Sequence, residues 1–445
     1  MHRITSQAFM NLLFFALLSI TSSSNLLASN ATNNTPTQSL NYGQAFQHQS
    51  KTFNQPRRYM VSLPERYSLS SYRYPTLYVL DGDFQFHHVA NTAKHLARMG
   101  KIPPMIVVGV AFQGPDDYLL SNTWPIDSEP GYGGSKQFLD YLYQELVPTI
   151  DKEYRTNSSR ALAGYSLGGL LVLQSYLDND KPFNSFLAMS PSVWFDDMSL
   201  ITKFKKALTK REHSELFLNP LFLSLANERG MGVDELVAVL ENNADQNSTK
   251  HWAFKHYPNE THYSTALPAL YDALTFLSPN YFLDMKDLVN FKDYHGVLNA
   301  FAEKKLLWSG YRMDWLQSYT FAKYVFYTEQ QAHVYDILKA IKKEFPEWND
   351  GDSKKAANMT VDMIAIDFAL MFNRNQQPQQ ARELLQSLEP TAQDLPKWHY
   401  QLSLAFAGLN NLELAKQHHA KAIELAKKHQ LESWEVWELE PLKYQ

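Results

Sequence analysis

Ser166 sits in the string Gly164-Tyr165-Ser166-Leu167-Gly168, a G-x-S-x-G pattern whose chemistry is attack by an activated hydroxyl. A serine hydroxyl is a weak nucleophile at neutral pH. The chain must therefore bring it a base and, as a rule, a carboxylate that orients the base. The string gains weight from its flanks. Ser159-Arg160-Ala161-Leu162-Ala163 reads as a strand, and Leu167-Gly168-Gly169-Leu170-Leu171-Val172-Leu173 opens a buried helix. That strand–turn–helix order is the setting of a nucleophile elbow. The turn holds its serine in a strained backbone and crowds the residues two before and two after, which here are Gly164 and Gly168. The helix N-terminus presents free N–H groups, so the Leu167 amide is expected to donate to a developing oxyanion.

The partners follow from chain order, which in elbow-bearing α/β folds runs serine, acid, histidine. Of fifteen histidines, His213, His251, His256 and His262 lie downstream within the same half. His262 occupies the polar stretch Tyr257 to Ser264, after an expected strand from Trp252 to Tyr257 and before an expected helix from Thr265 to Leu277. It is the expected base. His256 alternates with apolar residues inside that strand and reads as structural. The acid belongs after the strand Leu221 to Leu225, where Glu228 is the first carboxylate; Asp234, Glu260 and a Ser–His dyad without an acid are the alternatives. A second oxyanion donor is expected from the loop after an early strand, where Leu80-Asp81-Gly82-Asp83 makes the Asp83 backbone N–H the candidate. His87 and His88 have no partner at ligand spacing such as H-E-x-x-H, so neither a metal nor a cofactor is expected.

These residues need a scaffold, and the apolar runs supply one. Tyr74 to Leu80, Met105 to Val110, Ala161 to Ala163, Phe186 to Met189 and Leu221 to Leu225 are short strands apolar on both faces. They are separated by helical stretches such as Lys136 to Ile150, the pattern of a mostly parallel sheet covered on both sides. The expected class is α/β, with an α/β-hydrolase fold over residues 51–280. Beyond Pro279 the strands stop. Phe372 and Ala381 recur as Phe406 and Ala415, 34 residues on, which is the tetratricopeptide period. Residues 281–445 are thus expected to form an all-α domain, either tetratricopeptide-like or an ordinary helical bundle.

Composition narrows the function classes. The chain has 445 residues, a formal net charge of −5 and no cysteine. No basic field exists for nucleic acid, and disulfides, thiolate metal sites and cysteine nucleophiles are excluded. His2 and Arg3 precede the apolar run Ala8 to Ile20, with small residues following to Ser24. That run is short of the ~20 residues that span a bilayer, so residues 1–28 read as a secretory signal and residues 29–50 as a disordered linker. Export to the periplasm or medium is expected, with no membrane span after signal cleavage.

The chain resembles the putative-esterase branch of the α/β-hydrolases, which includes esterase D, enterochelin esterases, feruloyl esterases and mycolyltransferases. The likeness rests on Leu77 to Asp83, Val108-Gly109-Val110, Phe138-Leu139 with Glu145-Leu146, Ala163 to Leu170, Ser190-Pro191-Ser192-Val193-Trp194 and Asn259-Glu260-Thr261-His262. It covers residues 50 to 280. It implies hydrolysis of a small-molecule carboxylic ester through an acyl-enzyme, with the Asp83 amide completing the oxyanion hole and Trp194 beside the acyl pocket. The segment Gln113 to Tyr118 lacks the arginine that this family often carries after its second strand. An acyltransferase would use the same residues. The helical repeats suggest a protein partner or a lid, and a non-catalytic protein acting through them is the remaining alternative.

Overall fold

A computed structural model describes residues 41–126, 131–210, 218–243, 251–307, 311–349, 359–429 and 431. The expected signal, residues 1–28, and the linker as far as Leu40 lie outside the described residues, as does His213. From Tyr42 onward the chain forms one compact unit.

Eight strands make one sheet: β1 (Gln44–Ser50), β2 (Gln55–Ser62), β3 (Tyr74–Leu80), β4 (Ile106–Val110), β5 (Thr156–Tyr165), β6 (Ser185–Met189), β7 (Leu221–Leu225) and β8 (Trp252–His256). Their order is β1-β2-β4-β3-β5-β6-β7-β8. The first two pairings, β1 with β2 and β2 with β4, are antiparallel, and every other pairing is parallel.

Successive side chains of a strand face opposite sides, and the buried residues divide accordingly. Tyr78, Leu80, Val108, Leu162, Phe186 and Leu223 enter one core, while Leu77, Val79, Val107, Ala163, Leu187 and Phe222 enter the other. This is why the central strands are apolar throughout rather than alternating. The first core is closed by α3 (Ser135–Tyr141), α4 (Val147–Glu153), α5 (Leu167–Leu177), α6 (Phe195–Lys210) and α7 (Val233–Asn243); the second by α1 (Gly82–Arg98) and α8 (Ala266–Phe276). A short α2 (Pro115–Ser121) follows β4. The single helix expected from Lys136 to Ile150 is α3 and α4 joined by a π-turn over Leu142–Leu146.

The expected linker reaches too far. Residues 44–50 are β1, paired with β2 from Gln44 against Val61 to Ser50 against Gln55. Glutamine-rich Gln44 to Ser50 offers only one large apolar side chain, Phe46, which stacks on Tyr59 at 5.3 Å. An edge strand with so little apolar content carries almost no hydrophobic signal.

From Tyr281 on, the elements among the described residues are helices, and they have a core of their own. Phe372, Ala381, Phe406 and Ala415, the residues repeating at 34, are all buried in it. They belong to the helices Val361–Arg374, Pro378–Ser387, Pro396–Gly408 and Leu412–Lys428.

Candidate active site

Three loops leave the carboxyl ends of β5, β7 and β8, and each brings one polar side chain to a common point. The first is the turn from β5 into α5. Ser166 takes φ 57°, ψ −122°, a conformation that costs a non-glycine residue on the order of 1–3 kcal/mol. Surrounding bonds hold it there: its N–H donates to Met189 O at 3.1 Å, and its carbonyl accepts from Ser192 N at 3.0 Å and Leu170 N at 3.1 Å. The turn is tight enough that a Cβ on Gly164 would stand 2.3 Å from Gly168 O.

Glu228 comes from the loop after β7 and His262 from the loop after β8. Backbone bonds join these loops, with Tyr257 N donating to Leu225 O at 2.8 Å and Asn227 N to Glu260 O at 3.0 Å. His262 Nδ1 lies 2.7 Å from Glu228 Oε1, and its Nε2 lies 3.1 Å from Ser166 Oγ. With the Nδ1–H donated to the carboxylate, the Nε2 lone pair faces the serine hydroxyl, the tautomer a base requires. The imidazole therefore pairs with Glu228. Asp234 is exposed on the first turn of α7, and Glu260 contributes its carbonyl to Asn227. His256 bonds the Ala226 carbonyl at 3.0 Å, in keeping with a structural part.

Three further side chains border the serine, and sequence reasoning passed over them. Ser192 is buried with Oγ 3.3 Å from Ser166 Oγ. The Tyr165 hydroxyl donates to the His262 carbonyl, and its ring lies 4.8 Å from the imidazole. Burial, then the Asp81 carboxylate, raise the Tyr118 phenol above its usual value, and the nearby Ser166 side chain and Gly168 and Leu167 amides offset this in part. Ser192 stood inside a quoted string, and Tyr165 inside the elbow itself. Tyr118 has no spacing relation to either.

Leu167 is the first residue of α5, so its N–H has no acceptor within the helix. Asp83 holds the second position of α1, and the same argument frees its amide; its carboxylate turns outward to Arg58 at 2.8 Å. Gly82 is needed before it because a Cβ there would meet the β4 backbone at 2.7 Å. Burial, reinforced by the Asp83 carboxylate, pushes the Asp81 carboxyl up to about 6. Trp194 lies two residues beyond Ser192 and is 45% exposed, its ring edge-on to Phe195 at 6.2 Å. His88 bonds Gln85 at 2.6 Å and His87 lies against the Tyr42 ring at 4.5 Å.

Residues 50–259 match the family described as "Putative esterase". The chain is 24% identical over 164 residues to the ferri-bacillibactin esterase BesA of Bacillus subtilis, covering 32% of this chain and 57% of that protein. It is 28% identical over 144 residues to the siderophore triacetylfusarinine C esterase of Aspergillus fumigatus, covering 29% of this chain and 48% of that one. The chain thus spans about half the length of these curated relatives. Among solved structures, an IroE-like serine hydrolase from Shewanella oneidensis shares 25% identity at a TM-score of 0.55, over 68% of this chain and 99% of that chain. The helical region lies beyond the family match, and His262 falls just past its end. Over residues 50–259, which carry the elbow serine and Glu228, the chain matches the putative-esterase family, on the fold it shares with the IroE-like serine hydrolase.

Proposed function

We propose that the protein is an exported serine esterase that hydrolyses a small-molecule carboxylic ester through an acyl-enzyme. The observation that carries this reading is the unbroken chain Glu228–His262–Ser166, at 2.7 and 3.1 Å, ending on a serine held in elbow geometry. Ser166 Oγ attacks the ester carbonyl carbon while its proton passes to His262 Nε2. Glu228 orients the imidazole and stabilises the imidazolium. The Leu167 and Asp83 amides receive the oxyanion. Collapse expels the alkoxide, which takes the proton from His262, and leaves Ser166 acylated. Water then attacks, with His262 as base, and releases the acid. The relatives are named for siderophore esters, which makes such esters the first natural substrates to test. Trp194 is assigned to the rim of the acyl pocket.

The test compares the mature wild type with Ser166→Ala, using fluorophosphonate labelling and turnover of p-nitrophenyl acetate and butyrate. Labelling and turnover present in the wild type and absent from the variant support the reading. A folded wild type that neither labels nor turns over sinks it. Fractionation of cells expressing the full chain checks export, and retention of the uncleaved chain in the cytoplasm would remove that part.

A further inference from the structure

We propose that the Ser192 hydroxyl is a catalytic hydrogen-bond donor to Ser166 Oγ, acting on that oxygen when it leaves the acyl-enzyme. The inference rests on Ser166 attacking an ester and becoming acylated, as set out above.

The protons around the serine decide which hydroxyl donates. Ser166 Oγ meets His262 Nε2 at 3.1 Å and Ser192 Oγ at 3.3 Å. His262 Nδ1 faces Glu228 Oε1 at 2.7 Å and donates its proton there, so Nε2 presents a lone pair and takes the one proton of Ser166. Toward Ser192 the serine oxygen can then only accept. A hydroxyl oxygen has two acceptor lone pairs. Ser192 holds one, and the other is left to attack the ester carbon.

The turn after β6 holds Ser192 in place through its main chain. Ser192 N donates to the Ser166 carbonyl at 3.0 Å, and the Ser192 carbonyl accepts from Phe195 N at 3.2 Å. The turn begins at Ser190, whose φ of 40° is left-handed and whose N–H donates to Ser224 O at 3.1 Å. Pro191 packs on the elbow, where a Cβ added to Gly169 would stand 3.0 Å from Pro191 Cα. Val193 packs on the loop after β7, where a Cβ added to Gly232 would meet it at 3.1 Å. Ser192 is 2% exposed, so its hydroxyl is shielded from bulk water. None of these main-chain bonds uses the Ser192 side chain, so the hydroxyl can be removed without releasing the turn. A donor placed beforehand needs little reorganisation when charge develops, which is what makes such donors effective.

A donor on Oγ acts differently in the two halves of the reaction. In acylation Oγ gives electron density to the carbonyl carbon, and a donor on it lends no help. In deacylation water attacks the acyl carbon, and its proton passes to His262 Nε2. When the tetrahedral intermediate collapses, the C–Oγ bond breaks and its electron pair goes to Oγ, to which His262 returns the proton. Negative charge grows on Oγ during that step, and the Ser192 O–H stabilises it while keeping its own proton. Catalytic hydrogen bonds that are long in the resting enzyme tighten as charge develops, and 3.3 Å leaves room for this. Ser192 thereby favours release of the acid over accumulation of acyl-enzyme.

The experiment uses the full mature chain with p-nitrophenyl butyrate, comparing wild type, Ser192→Ala, Ser192→Thr and Ser166→Ala. Stopped-flow release of p-nitrophenolate gives the acylation rate, and intact mass after rapid quenching follows the butyryl-enzyme and its decay. Loss of one hydrogen bond to a charged oxygen slows a step by about 10–100-fold. The expected result is that slowing in the decay of butyryl-Ser192→Ala, with acylation and kcat/KM within about threefold of wild type. Ser192→Thr keeps the hydroxyl and should lose its butyryl group about fivefold or more faster than the alanine variant. Both steps are read in the same protein, so damage to the fold, which slows acylation and deacylation together, is told apart from loss of the donor. Wild-type deacylation in Ser192→Ala, or a parallel slowing of both steps, would overturn the donor role, while an active wild type and a dead Ser166→Ala leave the esterase reading intact. A wild type that neither labels with fluorophosphonate nor turns over removes both.

Discussion

Gly164→Ala and Gly168→Ala are expected to differ sharply, although the G-x-S-x-G pattern treats the two glycines alike. A Cβ on Gly164 would stand 2.3 Å from Gly168 O, 2.4 Å from Gly168 C and 2.9 Å from Gly169 N. Ordinary carbon–oxygen contacts begin near 3.3 Å, so the backbone must part by about 1 Å. All three atoms are main chain, and no rotamer change can relieve the overlap. Gly164 belongs to β5 and Gly168 to α5, with only Tyr165, Ser166 and Leu167 between them. A displacement of that size falls on the serine itself. Overpacking of this kind costs about 1–3 kcal/mol, and a reacting group misplaced by about 1 Å loses on the order of 10² in rate. A Cβ on Gly168, by contrast, meets Leu80 Cβ at 3.4 Å, which is ordinary contact. Alanine there trims the unfolded state's freedom and adds about 0.4–1 kcal/mol of stability. The assay pairs thermal midpoints with the rate of fluorophosphonate labelling. Gly164→Ala should melt several degrees lower and label about a hundredfold more slowly, while Gly168→Ala stays within a few-fold of wild type. Equal damage at both positions, or wild-type labelling in Gly164→Ala, would refute the steric account.

Two other outcomes follow from the same geometry. Glu228→Gln keeps the size of the side chain but loses its charge and favours the wrong imidazole tautomer, so kcat should fall by about 10³–10⁴-fold while KM changes little; a fall of less than tenfold, measured with p-nitrophenyl butyrate, would point to a Ser–His dyad. The raised Asp81 carboxyl binds its proton more tightly in the folded than in the unfolded chain, so its contribution to stability is present below about pH 4 and is lost as pH rises past about 6. Asp81→Asn, which tolerates the left-handed φ of 55°, should match wild type at pH 4 and melt higher at pH 7; a wild-type-minus-variant difference that is flat over this range would exclude the effect.

The legible parts of the site were those whose chemistry depends on local backbone. An elbow needs a strand, a tight turn and a helix in succession, so Ser166 and the Leu167 amide could be placed from about fifteen consecutive residues. His262 and Glu228 were found by counting strands, and the choice of Glu228 over Asp234 or Glu260 needed the 2.7 Å contact to decide it. Tyr118 left no trace because its relation to Ser166 exists only through the sheet: β4 and β5 both flank β3, and the loops leaving their carboxyl ends converge. The strands missed, β1 and β2, are the ones paired antiparallel to each other; the glutamines of β1 and the Gln55, Arg57 and Arg58 of β2 dilute the apolar signal on which the parallel strands were recognised.

The position of the helical region bears on what it does for the esterase half. Met359 N donates to Tyr72 Oη at 2.7 Å, and the Arg312 guanidinium lies 4.7 Å from the Tyr72 ring centroid. Gly100, at the end of α1, is the other point of approach, where a Cβ would meet Asp314 Oδ2 at 3.2 Å. Tyr72 precedes β3 and Gly100 precedes β4, so both contacts lie at the amino ends of the parallel strands. Ser166, Glu228 and His262 are at the carboxyl ends, a strand length of about 20 Å away for seven residues. Among the described residues these helices therefore meet the sheet at the end remote from the serine, which does not fit a lid over it. Tyr72, two residues before β3, meets the helices, and the end of β3 leads into Asp81 and Asp83, so the helical region is placed to brace the strand that precedes the proposed second oxyanion amide.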